Sequence, residues 1–316
     1  MMTGRIIGFA GTALALWAST LVAGQGPAPF RGTSDNVPVF ATVTGKSGRL
    51  VNGLERDAFE VRDEGKPRTL TVFDNAPQPV RLIVLIDVSG SMVRNLPLLN
   101  AACRELIAHL GRGDLARVGT FGRDIEISPA AFTANPAALL AALPSTIDPS
   151  APTPLWRAVN QALGEFGEEQ GRRVVLILSD GKDSGPIFGQ KWVDLLTVSD
   201  RAMREDVMVY GVALHSRPTQ GPIGPGAGTT AAAMLSSNMP DPGLGKLAED
   251  TGGGYTEIRP RDDLAAEFAR IADELHQQYL LGFTPVSKDG KVHDIDVRMI
   301  PKDLKARARR TYRAPK

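Results

Sequence analysis

The residues best suited to chemistry follow a strand of strong apolar character. The run Leu82-Ile83-Val84-Leu85-Ile86 ends at Asp87 and continues as Val88-Ser89-Gly90-Ser91-Met92. One carboxylate and two hydroxyls therefore fall on a tight turn at the carboxyl end of a buried strand. In an open α/β sheet that edge is where ligands bind. Neutral hydroxyls beside a carboxylate offer hard oxygen ligation of a divalent cation. Taken alone the motif is weak, because an Asp or Ser in this position also caps a following helix, here one starting near Val93.

Two further positions fall at matching boundaries. Thr153, in Pro152-Thr153-Pro154-Leu155-Trp156, precedes an amphipathic helix. Threonine at an N-cap with proline at the first helical position is an ordinary helix start. Asp180, in Leu178-Ser179-Asp180-Gly181, ends the most hydrophobic strand of the central region. An Asp-Gly pair is also a common turn. Asp183, three residues on, suits a plain surface turn, a cap of the next segment or a residue ordering the rim. Met92 and Trp156 read as packing residues.

These positions need a scaffold, and the sequence from residue 80 supplies one. Strand candidates are 82–87, 117–121, 124–128, 174–180, 207–214 and 254–258. Helix candidates are 94–110, 136–142, 154–166, 191–205, 243–250 and 262–275. Helical period is explicit in Leu155, Val159, Ala162, Leu163 and Phe166, and again in Leu264, Phe268, Ile271, Ala272 and Leu275. Continuous apolar strands such as Val174–Leu178 imply burial on both faces. The expected fold is α/β, a doubly wound, mostly parallel six-stranded sheet between helices. Strands 117–121 and 124–128, joined by Gly122-Arg123, read as a hairpin that makes one edge antiparallel. Residues 216–242, rich in Gly, Pro, Ala and Ser, read as a mobile surface loop.

On either side the texture is β. Val37–Val43 is the first strand, and its Pro38 suggests an edge position. Phe59–Arg62 and Thr69–Phe73 flank a turn at Asp63-Glu64-Gly65, with a helical turn expected at Glu55–Ala58. After residue 276, Gln278–Phe283, His293–Ile300 and Lys305–Tyr312 read as strands. Neither flank can bury a good core alone. The expectation is therefore one all-β, sandwich-like domain built from 37–78 and 277–316, with an α/β domain at 79–276 inserted in it.

Residues 1–24 read as a signal peptide. Arg5 is a short positive region, Ile6–Ala23 is uncharged, and Val22-Ala23-Gly24 supplies a small-residue cleavage site. An uncleaved anchor is the alternative. A polar linker, 25–36, follows. The whole chain of 316 residues carries a formal net charge of +1, and loss of the leader leaves 35 basic and 35 acidic side chains. No global field argues for nucleic acid as a partner. The lone Cys103 lies on an apolar helical stripe and reads as a core thiol. The segment 302–316 carries seven basic residues and one acid. It suits either a peripheral contact with an acidic envelope component or the solvated face of an edge strand.

Taken together, Asp-x-Ser-x-Ser, the later threonine and the later strand-ending aspartate resemble the von Willebrand factor type A (VWA) domain family and its metal-ion-dependent adhesion site, the MIDAS. The resemblance implies a Rossmann-like fold and a metal-ligand set of Asp87, Ser89, Ser91, Thr153 and Asp180, with Gly90 and Asp183 in supporting roles. Val51–Phe73 and Tyr279–Pro285, with Asp289-Gly290-Lys291, are similar to the flanks of a bacterial, exported VWA-related group. The cation expected is Mg²⁺, with Mn²⁺ or Ca²⁺ as alternatives. Three neutral hydroxyls and two carboxylates match its charge without over-compensating it. A sixth, electrophilic position is then left for an acidic side chain of a partner. Gly90 lets the backbone turn between the serines.

An enzyme is not expected. There is no Gly-x-Ser-x-Gly elbow, no Gly-x-Gly-x-x-Gly after a strand, and no zinc spacing among His109, His215, His276 and His293. No small-molecule substrate is implied. The function expected is an exported, periplasmic or extracellular, divalent-metal-dependent protein-binding module. The rival is an envelope assembly factor whose β flanks make the contacts while the metal stabilises. A cytoplasmic regulatory subunit is a third reading, opposed by the leader.

Overall fold

The structure is a computed structural model. It describes residues 1, 36–167, 169, 171–180, 182–185, 191–215, 241–259 and 262–315. The leader, almost all of the linker and most of the 216–242 loop lie outside the described residues.

The chain enters through β1 (Val37–Gly45), β2 (Phe59–Asp63), β3 (Lys66–Arg68) and β4 (Leu70–Asp74). The central region then alternates strands and helices. In order these are β5 (Val80–Asp87), α1 (Leu96–Ala108), β6 (Leu115–Phe121), β7 (Ile125–Thr133), α2 (Pro136–Ala141), α3 (Leu155–Gly164) and β8 (Arg172–Ser179). They are followed by α4 (Leu195–Arg204), β9 (Val207–Leu214), α5 (Pro242–Thr251), β10 (Tyr255–Ile258) and α6 (Leu264–His276). The chain closes with β11 (Tyr279–Phe283), β12 (Val292–Met299), β13 (Leu304–Arg307) and β14 (Thr311–Arg313).

The six central strands form one sheet in the order β10-β9-β8-β5-β6-β7. All of its pairings are parallel except β6 with β7. This is the mostly parallel α/β sheet expected from the apolar runs. Alternation along β5 and β8 feeds two cores. Leu82, Val84, Ile86, Val174, Leu176 and Leu178 pack with α1, α2 and α6. Ile83, Leu85, Val175 and Ile177 pack with α3, α4 and α5 on the other face. Each such aliphatic side chain contributes about 1.5–3 kcal/mol by leaving water. Cys103 is buried in the first of these cores, where burial pushes its thiol up to about 12.

The two flanks pair with each other in two antiparallel sheets, β13-β1-β11-β4 and β14-β12-β2-β3. Val39, Val61, Tyr279, Leu281, Phe283 and Tyr312 fill the core between them.

Three local expectations are corrected. The Glu64-Gly65 turn joins β2 to the short β3, whereas 70–74 crosses to the other sheet to pair with β11. Lys305–Tyr312 is two strands, β13 beside β1 and β14 beside β12. Its break at Ala308–Arg310 hands the chain from one sheet to the other. Strand β1 is internal, yet Pro38 lies in the half that pairs with β11 alone, since β13 joins only at Thr42–Gly45. The Pro38 carbonyl accepts from Arg309 rather than from a strand, so the missing N–H costs no ladder bond.

The basic C-terminal segment is used internally. Arg309 Nη1 pairs with Asp206 at 2.5 Å and Arg310 Nη2 with Glu249 at 2.5 Å. Arg307 pairs with Glu274 of α6. Glu274 is buried and also accepts from the Tyr210 hydroxyl at 2.6 Å and from Thr42 at 3.3 Å. Strand β1, strand β9, helix α6 and strand β13 thus meet at one carboxylate. Among the described residues no helix is long and apolar enough to cross a membrane.

Candidate metal centre

The predicted cluster forms at the carboxyl ends of the adjacent strands β5 and β8. The last paired residues there are Ile86 and Leu178, and one step beyond them stand Asp87 and Ser179. Alternation puts both on the face that bears α3. Asp87 is fully buried. Its Oδ2 accepts from the Ser179 hydroxyl at 2.5 Å and its Oδ1 from the Ser89 amide at 2.8 Å. The Ser89 and Ser91 hydroxyls are 3.1 Å apart, and Ser91 Oγ donates to Asp180 Oδ1 at 2.6 Å. Asp180 Oδ2 also accepts from Asn95 Nδ2 at 3.5 Å. Four of the five predicted ligands are therefore linked by contacts within one cluster, with Ser91 on its exposed side.

The capping explanation of these residues does not hold. Ser89 stands before the short 3₁₀ turn Gly90–Arg94 and makes no side-chain cap bond, and neither does Asn95 before α1. Likewise α3 begins at Leu155 with Pro154 at its N-cap and no side-chain cap. The Thr153 hydroxyl is thus not committed to the helix.

The loop that carries Thr153 packs against Gly90. The Gly90 amide donates to the Ala151 carbonyl at 3.2 Å. A β-carbon at Gly90 would fall 2.1 Å from the Pro149 carbonyl oxygen. Gly90 is therefore required by close approach of the 149–153 loop, a reason distinct from the tight turn expected. On its other side the Thr153 amide donates to Ser184 Oγ at 2.7 Å, and the Thr153 carbonyl accepts from the Ser184 amide at 2.9 Å. Asp183 caps the start of α3 from outside: its Oδ1 accepts from the Trp156 amide at 3.2 Å and its Oδ2 from the Gly185 amide at 2.9 Å. Met92 and Trp156 are buried as packing residues.

Burial pushes the Asp87 carboxyl up to about 7. Hydrogen bonds from Ser179 and Ser89 pull against that rise, and the Asp180 charge adds to it. Two carboxylates sharing a hydroxyl cluster call for positive charge, and an all-oxygen donor set of this kind fits a hard divalent cation. Among the described residues no three His, Cys, Asp or Glu side chains cluster as a metal site. The donors gathered here are instead two carboxylates and hydroxyls.

Sequence reasoning missed Ser179, Ser184 and Asn95. Parity with Asp87 along neighbouring strands was the one available signal, and it applied to Ser179. The histidines are engaged elsewhere: His109 with Glu105, His215 with Glu257, His276 with Asp114, and His293 with Asp289 and Glu64.

Residues 82–182 match the family model described as the von Willebrand factor type A domain, and the α/β sheet is VWA-like in fold. The matched segment contains all five predicted ligands. No curated protein matches the chain. Among solved structures, the chain is similar to a von Willebrand factor type A protein from Catenulispora acidiphila. That match has 13% identity over 92% of this chain and 76% of that one, with TM-score 0.48. A conserved hypothetical protein, BatB, from Bacteroides thetaiotaomicron matches at 18% identity over 62% of this chain and 98% of that one, TM-score 0.46. The vWF domain of the type V pili tip protein Mfa5 from Porphyromonas gingivalis matches at 12% identity over 62% and 95%, TM-score 0.47.

Proposed function

We propose that this chain is an exported, non-enzymatic protein-binding module whose VWA-type domain captures an acidic side chain of a partner through a divalent cation. The observation that carries the reading is the convergence of Asp87, Ser89, Ser91 and Asp180 at the ends of two central strands, with Thr153 held on the loop against Gly90. These five residues would hold the metal, Mg²⁺ before Mn²⁺ or Ca²⁺. The bound ion would supply a Lewis-acidic position for a carboxylate oxygen. The chain's own part is to fix the two carboxylates in a buried setting and to keep Ser91 on the solvent side, where a partner's Asp or Glu can approach. The leader at 1–24 is what supports export, and the sandwich at 37–78 and 277–316 would carry the domain.

Calorimetric titration with Mg²⁺ and Mn²⁺, together with unfolding midpoints with and without EDTA, tests the metal. Wild-type protein is expected to bind and to be stabilised, and Asp87→Ala and Thr153→Ala to lose most of that affinity. Unchanged affinity in both variants overturns the assignment.

A structural assembly role is the second reading. The sandwich-to-domain contacts through Glu274, Arg307 and Arg309 favour it, because they join the flanks firmly to the α/β sheet.

A further inference from the structure

We infer that Ser184 is a positioning residue for the metal site, and that it makes the Asp180 and Thr153 halves of the site one mechanical unit; the inference rests on the metal-binding reading above. Thr153 lies 27 residues before Asp180 and on a different loop, so nothing local fixes the distance between them. Ser184 supplies the link. Its hydroxyl accepts from the Thr153 amide at 2.7 Å and its own amide donates to the Thr153 carbonyl at 2.9 Å. This is a reciprocal, two-point bracket, and such a pair restrains orientation as well as distance.

The neighbouring residue extends the bracket. Asp183 Oδ1 accepts from the Trp156 amide, one of the amides at the start of α3 that lack a helical partner. The Asp183 amide donates to Asp241 Oδ2 at 3.3 Å, and Asp241 caps α5 through the Gly243 amide at 2.8 Å. The segment that leaves β8 therefore carries Asp180 at its root and, four residues on, the clamp that seats Thr153 and the α3 start. The bracket thus ties Thr153 to the segment that also bears Asp180.

The geometry also separates Ser184 from the ligands. Its hydroxyl is engaged with the Thr153 backbone, not with any of the other predicted ligands. Residues that orient metal ligands in this way typically contribute about 10–100-fold to metal affinity.

The test uses the full chain carrying Ser184→Ala, Ser184→Thr, Thr153→Ala and the Ser184→Ala/Thr153→Ala pair. Mg²⁺ and Mn²⁺ affinities are measured by calorimetry, and amide exchange at Thr153 is measured on metal-free protein. Expected are an affinity about tenfold weaker in Ser184→Ala, recovery in Ser184→Thr, and a double variant no weaker than Thr153→Ala. Faster exchange of the Thr153 amide in Ser184→Ala, with the global unfolding midpoint held, is expected in the absence of any metal. Wild-type affinity in Ser184→Ala alongside a weakened Thr153→Ala overturns the inference, as does an additive double variant. Should wild-type protein bind neither ion, the metal-site reading falls instead. The bracket is then judged on exchange alone, and unchanged Thr153 protection in Ser184→Ala overturns it.

Discussion

The Ser179 hydroxyl donates to Asp87 Oδ2 across 2.5 Å, joining the ends of two parallel strands whose last residues are 92 positions apart in sequence. Asp87 has no solvent exposure, so this bond and the one from the Ser89 amide to Oδ1 together set how its carboxylate faces the other donors. Ser179→Ala should weaken Mg²⁺ binding about tenfold while leaving the β5–β8 ladder intact. Calorimetric titration checks the affinity, and unchanged far-ultraviolet circular dichroism checks the fold.

Gly90 has a steric requirement. A β-carbon there meets the Pro149 carbonyl oxygen at 2.1 Å, which is backbone and cannot swing aside. Gly90→Ala should force the 149–153 loop outward and cost about 1–3 kcal/mol, as overpacking does. Urea unfolding measures the cost. The variant should also lose stabilisation by Mg²⁺, because Thr153 rides on that loop.

Glu274 is a buried carboxylate with an arginine partner from the sandwich. Glu274→Ala leaves the buried Tyr210 hydroxyl without its acceptor and removes the partner of the part-exposed Arg307, and a buried donor left unsatisfied costs about 1–3 kcal/mol. Arg310→Ala removes an exposed pair with Glu249 and should stay within about 1 kcal/mol. Parallel urea titrations of the two variants compare them. Similar losses would mean that the joint between the β flanks and the α/β sheet is not centred on Glu274.

Asp114 gives a pH-dependent contribution at the opposite end of the sheet. Burial raises its carboxyl, but hydrogen bonds from His276 at 2.6 Å and from the Val80 and Gly111 amides outweigh it. The net shift is below the ordinary value of 3.8. A depressed folded value means that the unfolded chain takes up the proton first as pH falls. The contribution is therefore complete above about pH 4 and is lost progressively below it, as pH falls through the folded value. Thermal unfolding of wild type and Asp114→Asn between pH 6 and pH 2.5 should show a constant gap that closes below about pH 4. A gap that stays open at the acid end contradicts the assignment.

Much of the architecture was legible in residue order. Alternation between apolar strands and stripes such as Leu155, Val159 and Ala162 follows from the periods of strand and helix, which are local properties of the backbone. The same logic placed Asp87 and Asp180 at strand ends, where side chains leave the sheet, and marked Thr153 as the residue before a helix. Sequence thereby determined which residue types stand at the sheet edge.

Tertiary structure decided what those positions do to one another. Register put Ser179 beside Asp87, and no pattern within either strand contains the register of the other. Through-space packing set Ser184 against Thr153 and Pro149 against Gly90, so a turn glycine became one demanded by a neighbouring carbonyl. Charge behaved likewise. Arg307, Arg309 and Arg310 read as the solvated face of an edge strand or a peripheral contact until the fold laid them against Glu274, Asp206 and Glu249. Local propensity acts over a few bonds, whereas hydrogen bonding and charge act over a few ångströms. Only the folded chain makes those ångströms short between residues distant in sequence.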